Sequence, residues 1–293
     1  MNKHLRETLK KMATTVGAAP YIARYALRKE HAIIQQDFTP SGEGKSILVY
    51  TPPKCASTAT HRIITSLAQA KDPAYTHINL FRYFYNNGID GPDTFTEHVD
   101  RLILPNGIIY GPLRWGAAPA HIANCLSIVI IRDPRDMLVS LYYSMRDSHP
   151  LPMHPHTRQR LMEQRTLARN MDIDSFVLKE TPRYKQLCDS FLSIPARYPT
   201  TLLLTYEEFV LDFDTFLDRL VNYLEIPKAL IPEQHLRTLA HAGEQPTENT
   251  ALHIRKRTPG DHKDKLTSET ITILNREFDT VLNTIHKLKD HAG

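Results

Sequence analysis

Residues 46–60 read SILVYTPPKCASTAT, and residues 126–140 read LSIVIIRDPRDMLVS. Each is a short apolar run that stops at a polar, basic turn and then enters a helical pattern. Runs of this kind are strands buried on both faces, as a parallel sheet requires. In an α/β protein such a junction presents a strand's carboxyl end and a helix's amino terminus to an anion. Two junctions in one chain imply a ligand with two separated phosphates.

Outward from these two stretches the same alternation continues. The spacing predicts strands at 46–50, 107–110, 127–131 and 201–205. A helix over 58–69 follows the first strand, with Ile63, Ile64 and Leu67 on its apolar stripe. Phe209, Phe213, Phe216, Leu217, Leu220, Val221 and Leu224 recur at three- and four-residue intervals, as do Ile271, Leu274, Phe278, Val281, Leu282 and Ile285. Short strands alternating with helices predict an α/β fold: a single domain with a mainly parallel central sheet flanked by helices. The 293 residues suit one such domain. Residues 1–45 read as a helical amino-terminal extension and 46–293 as the domain proper.

The formal charge of +4 is mildly basic, which fits anionic ligands but lacks the concentrated basic face of a nucleic-acid binder. Cys55, Cys125 and Cys188 are scattered, which argues against a disulfide framework and fits a reducing, cytoplasmic setting. Cys55 reads as a small residue filling a tight turn or, alternatively, as a nucleophile in the first loop. No apolar stretch is long enough to span a bilayer. The amino-terminal 31 residues read as one or two basic amphipathic helices, packed on the domain or resting peripherally on a membrane surface. Residues 146–172, rich in proline, histidine and arginine, read as a loop or lid over the site or a surface excursion.

In the first junction Pro52 and Pro53 stop the strand, Lys54 projects from its end, and Ser57 and Thr58 open the helix. Helix-start amides, two hydroxyls and an ammonium make a nest for phosphate or sulfate. It is not a Walker A loop, because the lysine precedes the hydroxyls without the glycine spacing. In the second junction Asp133 caps the helix, Pro134 suits its first turn, and Arg132 with Ser140 forms a clamp for a second phosphate. A third basic cluster, Arg255, Lys256 and Arg257, precedes a Pro-Gly turn.

Taken in order, these stretches resemble the PAPS-dependent sulfotransferases, whose fold is related to the P-loop kinases. The family's PKSGTTW-like loop is similar to Pro53-Lys54-Cys55-Ala56-Ser57-Thr58-Ala59. Its RxPxDxxxS motif is matched at Arg132, Pro134, Asp136 and Ser140, and its RKGxxGDWK motif resembles residues 255–263. Tyr206, in TYEEF, resembles the tyrosine that lies near the adenine. The resemblance implies 3′-phosphoadenosine 5′-phosphosulfate (PAPS) as sulfuryl donor and the bisphosphate PAP as product. It places the 5′-phosphosulfate on Lys54–Ala59 and the 3′-phosphate on Arg132, Ser140, Arg255, Lys256 and Arg257.

Three departures stand out. Ala56 replaces the loop glycine, which is sterically mild if its φ stays negative. Ala59 replaces a tryptophan. The KTHLP-like strand end reads Tyr110-Gly111-Pro112-Leu113-Arg114, without the catalytic histidine. His77 and His121 are the candidate general bases in its place, and His61 is a third whose helical register points it away. No metal-ligand spacing is evident. The basic 146–169 stretch and the Arg114 loop point to a polar, carbohydrate-bearing or other small-molecule acceptor. Two alternatives accompany this reading: a PAP/PAPS-binding relative without catalysis, and an ATP-dependent P-loop kinase.

Overall fold

A single five-stranded sheet carries the molecule, in the order β2-β3-β1-β4-β5. Its strands are β1 (Ile47–Tyr50), β2 (Thr76–Ile78), β3 (Ile108–Leu113), β4 (Leu126–Ile131) and β5 (Leu202–Thr205). Every neighbouring pair is parallel, with Ile47 opposite both Ile109 and Leu126. The computed structural model describes residues 24–241 and 258–290. The α/β architecture expected from the alternation is the one observed.

Burial on both faces explains the near-continuous apolar strands. Leu48, Tyr50, Tyr110 and Val129 face one core; Ile47, Val49, Ile109 and Ile128 face the other. Each such side chain is fully buried, a placement that favours folding by about 1.5–3 kcal/mol per residue. Helix α2 (Ser57–Lys71) packs on the second face through Ile63, Ile64 and Leu67. On the first face lie α5 (Pro134–Tyr143), through Met137, Leu138 and Leu141, and α7 (Ile173–Arg197), through Phe176, Tyr184 and Phe191.

Several elements differ from the sequence expectation. β2 is only three residues long and lacks an apolar run, so its pattern is silent; its pairing with β3 defines it. The helical stretch after β5 divides into α8 (Tyr206–Leu211) and α9 (Phe213–Leu224), where Asp212 accepts from Thr215 N and starts a new helix. The final stretch likewise divides into α12 (Ser268–Glu277) and α13 (Asp279–Asp290). Residues 146–172 are mostly helix α6 (Pro155–Asn170) rather than a loop. Its basic residues hold the segment itself: Arg165 donates to Met145 O and His149 O, and Arg169 donates to Arg146 O.

Of the expected amino-terminal extension, α1 (Arg28–Ile34) is docked on α3 (Leu80–Asn87). Glu30 accepts from Asn79 N at 3.1 Å, and His31 Nδ1 lies 2.7 Å from the Tyr83 hydroxyl. The first 23 residues lie outside the described residues, as does the basic cluster Arg255, Lys256 and Arg257. Among the described residues no helix is long and apolar enough to cross a membrane.

Candidate functional site

The helices that follow β1 and β4 lie on opposite faces of the sheet, and these two strands are neighbours. Their carboxyl ends therefore flank a crevice, the place where open α/β sheets bind ligands. Both basic junctions fall on its rim.

At the first junction the chain turns through two left-handed residues, Lys54 (φ 74°) and Ala56 (φ 50°). The negative φ on which a mild replacement of glycine depends is not what the turn adopts. A glycine takes this conformation freely, whereas alanine brings its Cβ against the following carbonyl oxygen, at about 1 kcal/mol. No side chain caps α2, so its first amides face the crevice with anion-binding capacity. Cys55 points inward: it is fully buried, 3.2 Å from Met137 Sδ, and burial pushes its thiol up to about 12. It contributes backbone to the loop, not a nucleophile. Ser57 is buried, Thr58 is exposed and Ala59 is half-buried at the helix start.

Arg114, just past β3, lies beneath this loop. Its guanidinium donates to Thr51 O at 2.9 Å, to Pro52 O at 2.6 Å and to Ser57 Oγ at 2.7 Å. Residues 110–114 had attracted attention for a missing histidine, and nothing in their pattern announced this reach across to β1.

At the second junction Asp133 caps α5 by accepting from Arg135 N, and Pro134 sits in the first turn, as the sequence suggested. Arg132 is 5% exposed. It donates to Lys54 O at 2.8 Å and stacks on the Tyr206 ring at 4.0 Å, so it joins the two junctions and the TYEEF segment. Its Nε is buried without a hydrogen-bond partner, a donor suited to a phosphate oxygen. Ser140 lies half-buried two turns along the helix.

Two carboxylates support Arg132 and its surroundings. Asp136 Oδ2 lies 4.0 Å from Arg132 and accepts from Gly260 N; Asp136 Oδ1 accepts from His262 N at 3.0 Å and lies 2.7 Å from His262 Nδ1. Burial would raise the Asp136 carboxyl, but the His262 bond, the Arg132 charge and the two amides outweigh it and hold it at about 2. Glu207 accepts from Asp133 N at 3.0 Å, and burial raises its carboxyl. Asp136 ties the segment after the third basic cluster to α5, a role that the RxPxDxxxS spacing alone does not disclose. Asp133, Asp136 and His262 place ligating atoms within 4.8 Å of one another, a cluster that linear spacing could not reveal. The two carboxylates already accept from Arg135, His262 and backbone amides, and His262 Nδ1 is engaged with Asp136.

The candidate bases are not equivalent. His121 precedes β4, and its Nε2 lies 2.9 Å from Ile103 O, ahead of β3. That is the amino-terminal end of the sheet, opposite the junctions, so proximity in sequence to the Arg114 loop misled. His77, on β2, reaches Gly111 O through Nε2 at 3.1 Å, at the carboxyl end of β3. A carbonyl only accepts, so Nε2 carries the proton and Nδ1 keeps the lone pair. Burial lowers its pKa, which keeps the ring neutral at pH 7. His61 does not point away: it is 6% exposed, one turn after Ser57, with its ring 4.3 Å from that of His77. Burial, with the His77 and Arg114 charges, pulls it down to about 3, and neither ring nitrogen has a hydrogen-bond partner.

The family model described as "Sulfotransferase domain" matches residues 45–290. A search of curated proteins finds no significant match. Among solved structures, the chain is similar to mouse sulfotransferase SULT7A1 complexed with PAP, at 18% identity and TM-score 0.50, over 86% of this chain and 87% of that one. It is also similar to retinol dehydratase in a complex with retinol and PAP, at 14% identity and TM-score 0.51, over 88% and 85% of the two chains. Retinol dehydratase with androsterone and the inactive cofactor PAP gives 15% identity and TM-score 0.53, over 87% and 84%. At these identities the likeness is one of fold.

Proposed function

The chain belongs to the sulfotransferase domain family, and from that premise we propose that it moves a sulfuryl group from PAPS to a hydroxyl or amine of a small-molecule or glycan acceptor. The observation that carries the nucleotide assignment is the bond from Arg132 to Lys54 O, which joins two anion-binding junctions on adjacent strands. A ligand with two separated phosphates fits that spacing of donors, and the partnerless buried Nε of Arg132 fits an anion.

PAPS, when bound, supplies an activated sulfuryl group and a phosphate leaving group. The protein's work is positioning and charge stabilisation. Amides of residues 55–58, with the Ser57 and Thr58 hydroxyls, hold the 5′-phosphate, while the Ala59 amide donates to Ala56 O and closes the turn beneath it. The Lys54 ammonium neutralises negative charge growing on the bridging oxygen. Arg132 and Ser140 hold the 3′-phosphate, with Arg255, Lys256 and Arg257 as partners from outside the described residues. Tyr206 lies toward the adenine and orients Arg132 by stacking. His77 Nδ1 takes the acceptor's proton, the role the KTHLP-like strand end leaves unfilled. Residues 46–293 form the catalytic domain, with 1–45 as an extension, and we place the protein in the cytoplasm, with peripheral membrane contact through the basic leader.

Calorimetric titration with PAP, repeated on Lys54→Ala and Arg132→Ala with ATP as the control, tests this reading. Micromolar PAP binding that weakens in both variants supports it. Binding of ATP in place of PAP would move the assignment to a kinase. PAP binding with no turnover across acceptor panels would leave a binding protein.

A further inference from the structure

Pro52 and Pro53 follow Thr51, so the peptide units Thr51–Pro52 and Pro52–Pro53 carry no N–H. Their carbonyls, at the buried end of β1, must still find donors. One guanidinium nitrogen of Arg114 serves both, at 2.9 and 2.6 Å, and so fixes the path by which the chain leaves the strand. Its other terminal nitrogen donates to Ser57 Oγ at 2.7 Å. Because that oxygen accepts from the guanidinium, the Ser57 hydroxyl proton is left for another acceptor, such as an anion oxygen held by the uncapped amides of α2.

Charge is the second part of the argument. Arg132 has Asp136 at 4.0 Å and Arg135 has Asp133 at 2.6 Å. Around Arg114 lie the carbonyls, the hydroxyl, the Cys55 thiol, the Tyr184 and Phe81 rings and the neutral His61 ring. Among the described residues no carboxylate pairs with it. Burial pulls it down to about 10, which still leaves it protonated at neutral pH. Arg114 is half-buried, and a cation partly removed from water without a counter-ion carries a desolvation cost that an anion held on the loop above relieves.

We propose that Arg114 is a positioning residue for the 5′-phosphosulfate loop: it braces the loop's prolyl carbonyls, aims the Ser57 hydroxyl, and takes the bound anion as its counter-ion. The proposal rests on the PAPS reading above. It assigns to the strand end that lacks the family's histidine a task in anion binding.

The test compares PAP with adenosine 3′-monophosphate, which lacks the 5′-phosphate, by calorimetry on the full chain. For Arg114→Met the PAP affinity falls about 30-fold, as loss of charged hydrogen bonds implies, while the 3′-monophosphate affinity changes by less than about threefold. Arg114→Lys keeps the charge without the fork and loses an intermediate factor on PAP alone; it also serves if the Met variant does not fold. Equal losses on both nucleotides would reduce Arg114 to general structural support and overturn the proposal, as would no loss on either. A wild-type chain that does not bind PAP would instead overturn the nucleotide assignment itself. Arg114 variants unchanged beside a PAP-binding wild type would leave that assignment standing and remove this one.

Discussion

The two junctions on adjacent strands are built on opposite electrostatic plans. At the β4 junction Arg132 is anchored by Asp136, stacked on Tyr206, and backed by Glu207 through Asp133 N. At the β1 junction Arg114 meets carbonyls and a hydroxyl, and the turn is held in left-handed geometry at Lys54 and Ala56. A paired arginine is preorganised whether or not ligand is present, whereas one without a carboxylate gains its counter-ion only from ligand. The difference suits the division of labour proposed here. The 3′-phosphate is an unreacting handle, while the 5′ end is where charge changes during the reaction, and a fixed carboxylate there would offset the cation that the reaction uses.

The largest expected effect breaks the first junction. Lys54→Ala lowers turnover on the order of 10²–10³-fold while PAP affinity falls only about tenfold, read from steady-state rates beside calorimetry. A variant with normal turnover would remove Lys54 from the chemistry. At the second junction Arg132→Ala acts on binding and on folding together. PAP affinity falls about 100-fold, and stability in urea falls by about 1 kcal/mol, because Asp136 loses the Arg132 charge but keeps His262 and two backbone amides. Unchanged stability would show that the Arg132 charge does not support Asp136.

Beneath the first junction, His61 sharpens the comparison through pH. Its folded pKa, near 3, lies below the usual histidine value of 6.5, so its contribution is present above pH 6.5 and is lost as pH falls toward 3. At pH 5 the expected loss relative to pH 7 is about 2 kcal/mol, absent in His61→Phe, as denaturant melts across this range can measure. The smallest effect concerns Ala56. With φ at 50°, Ala56→Gly stabilises by about 0.5 kcal/mol after the extra freedom of the unfolded chain is counted, visible as a small rise in melting temperature. A destabilised glycine variant would show that the turn does not strain alanine.

Both apolar strand ends at the crevice were legible because each is a local run followed by a local cap: Ile47–Tyr50 before Pro52, and Leu126–Ile131 before Asp133 and Pro134. β2 was not, since three residues paired to β3 carry no period of their own. The basic 146–172 stretch looked like a loop because proline and histidine dominate its start, yet Pro155 sits in the first turn of α6, where a missing donor costs nothing. His121 looked near the site because it follows Arg114 by a few residues, but the chain crosses from one end of the sheet to the other between them.

Hydrophobic periodicity, caps and turn residues act over a few neighbours, so the amino-acid sequence by itself determined the α/β alternation, the parallel sheet, and the two basic strand-to-helix junctions at Lys54–Thr58 and Arg132–Ser140. Strand order, the face each helix covers, and which distant groups meet depend on long-range packing and burial. Only the tertiary structure therefore decided that Arg114 lies under Ser57, that Asp136 receives Gly260 and His262, and that His61 and His77 share one buried space. Such contacts join residues far apart in the chain, and removal from water sets their strength; neither property is written in local spacing.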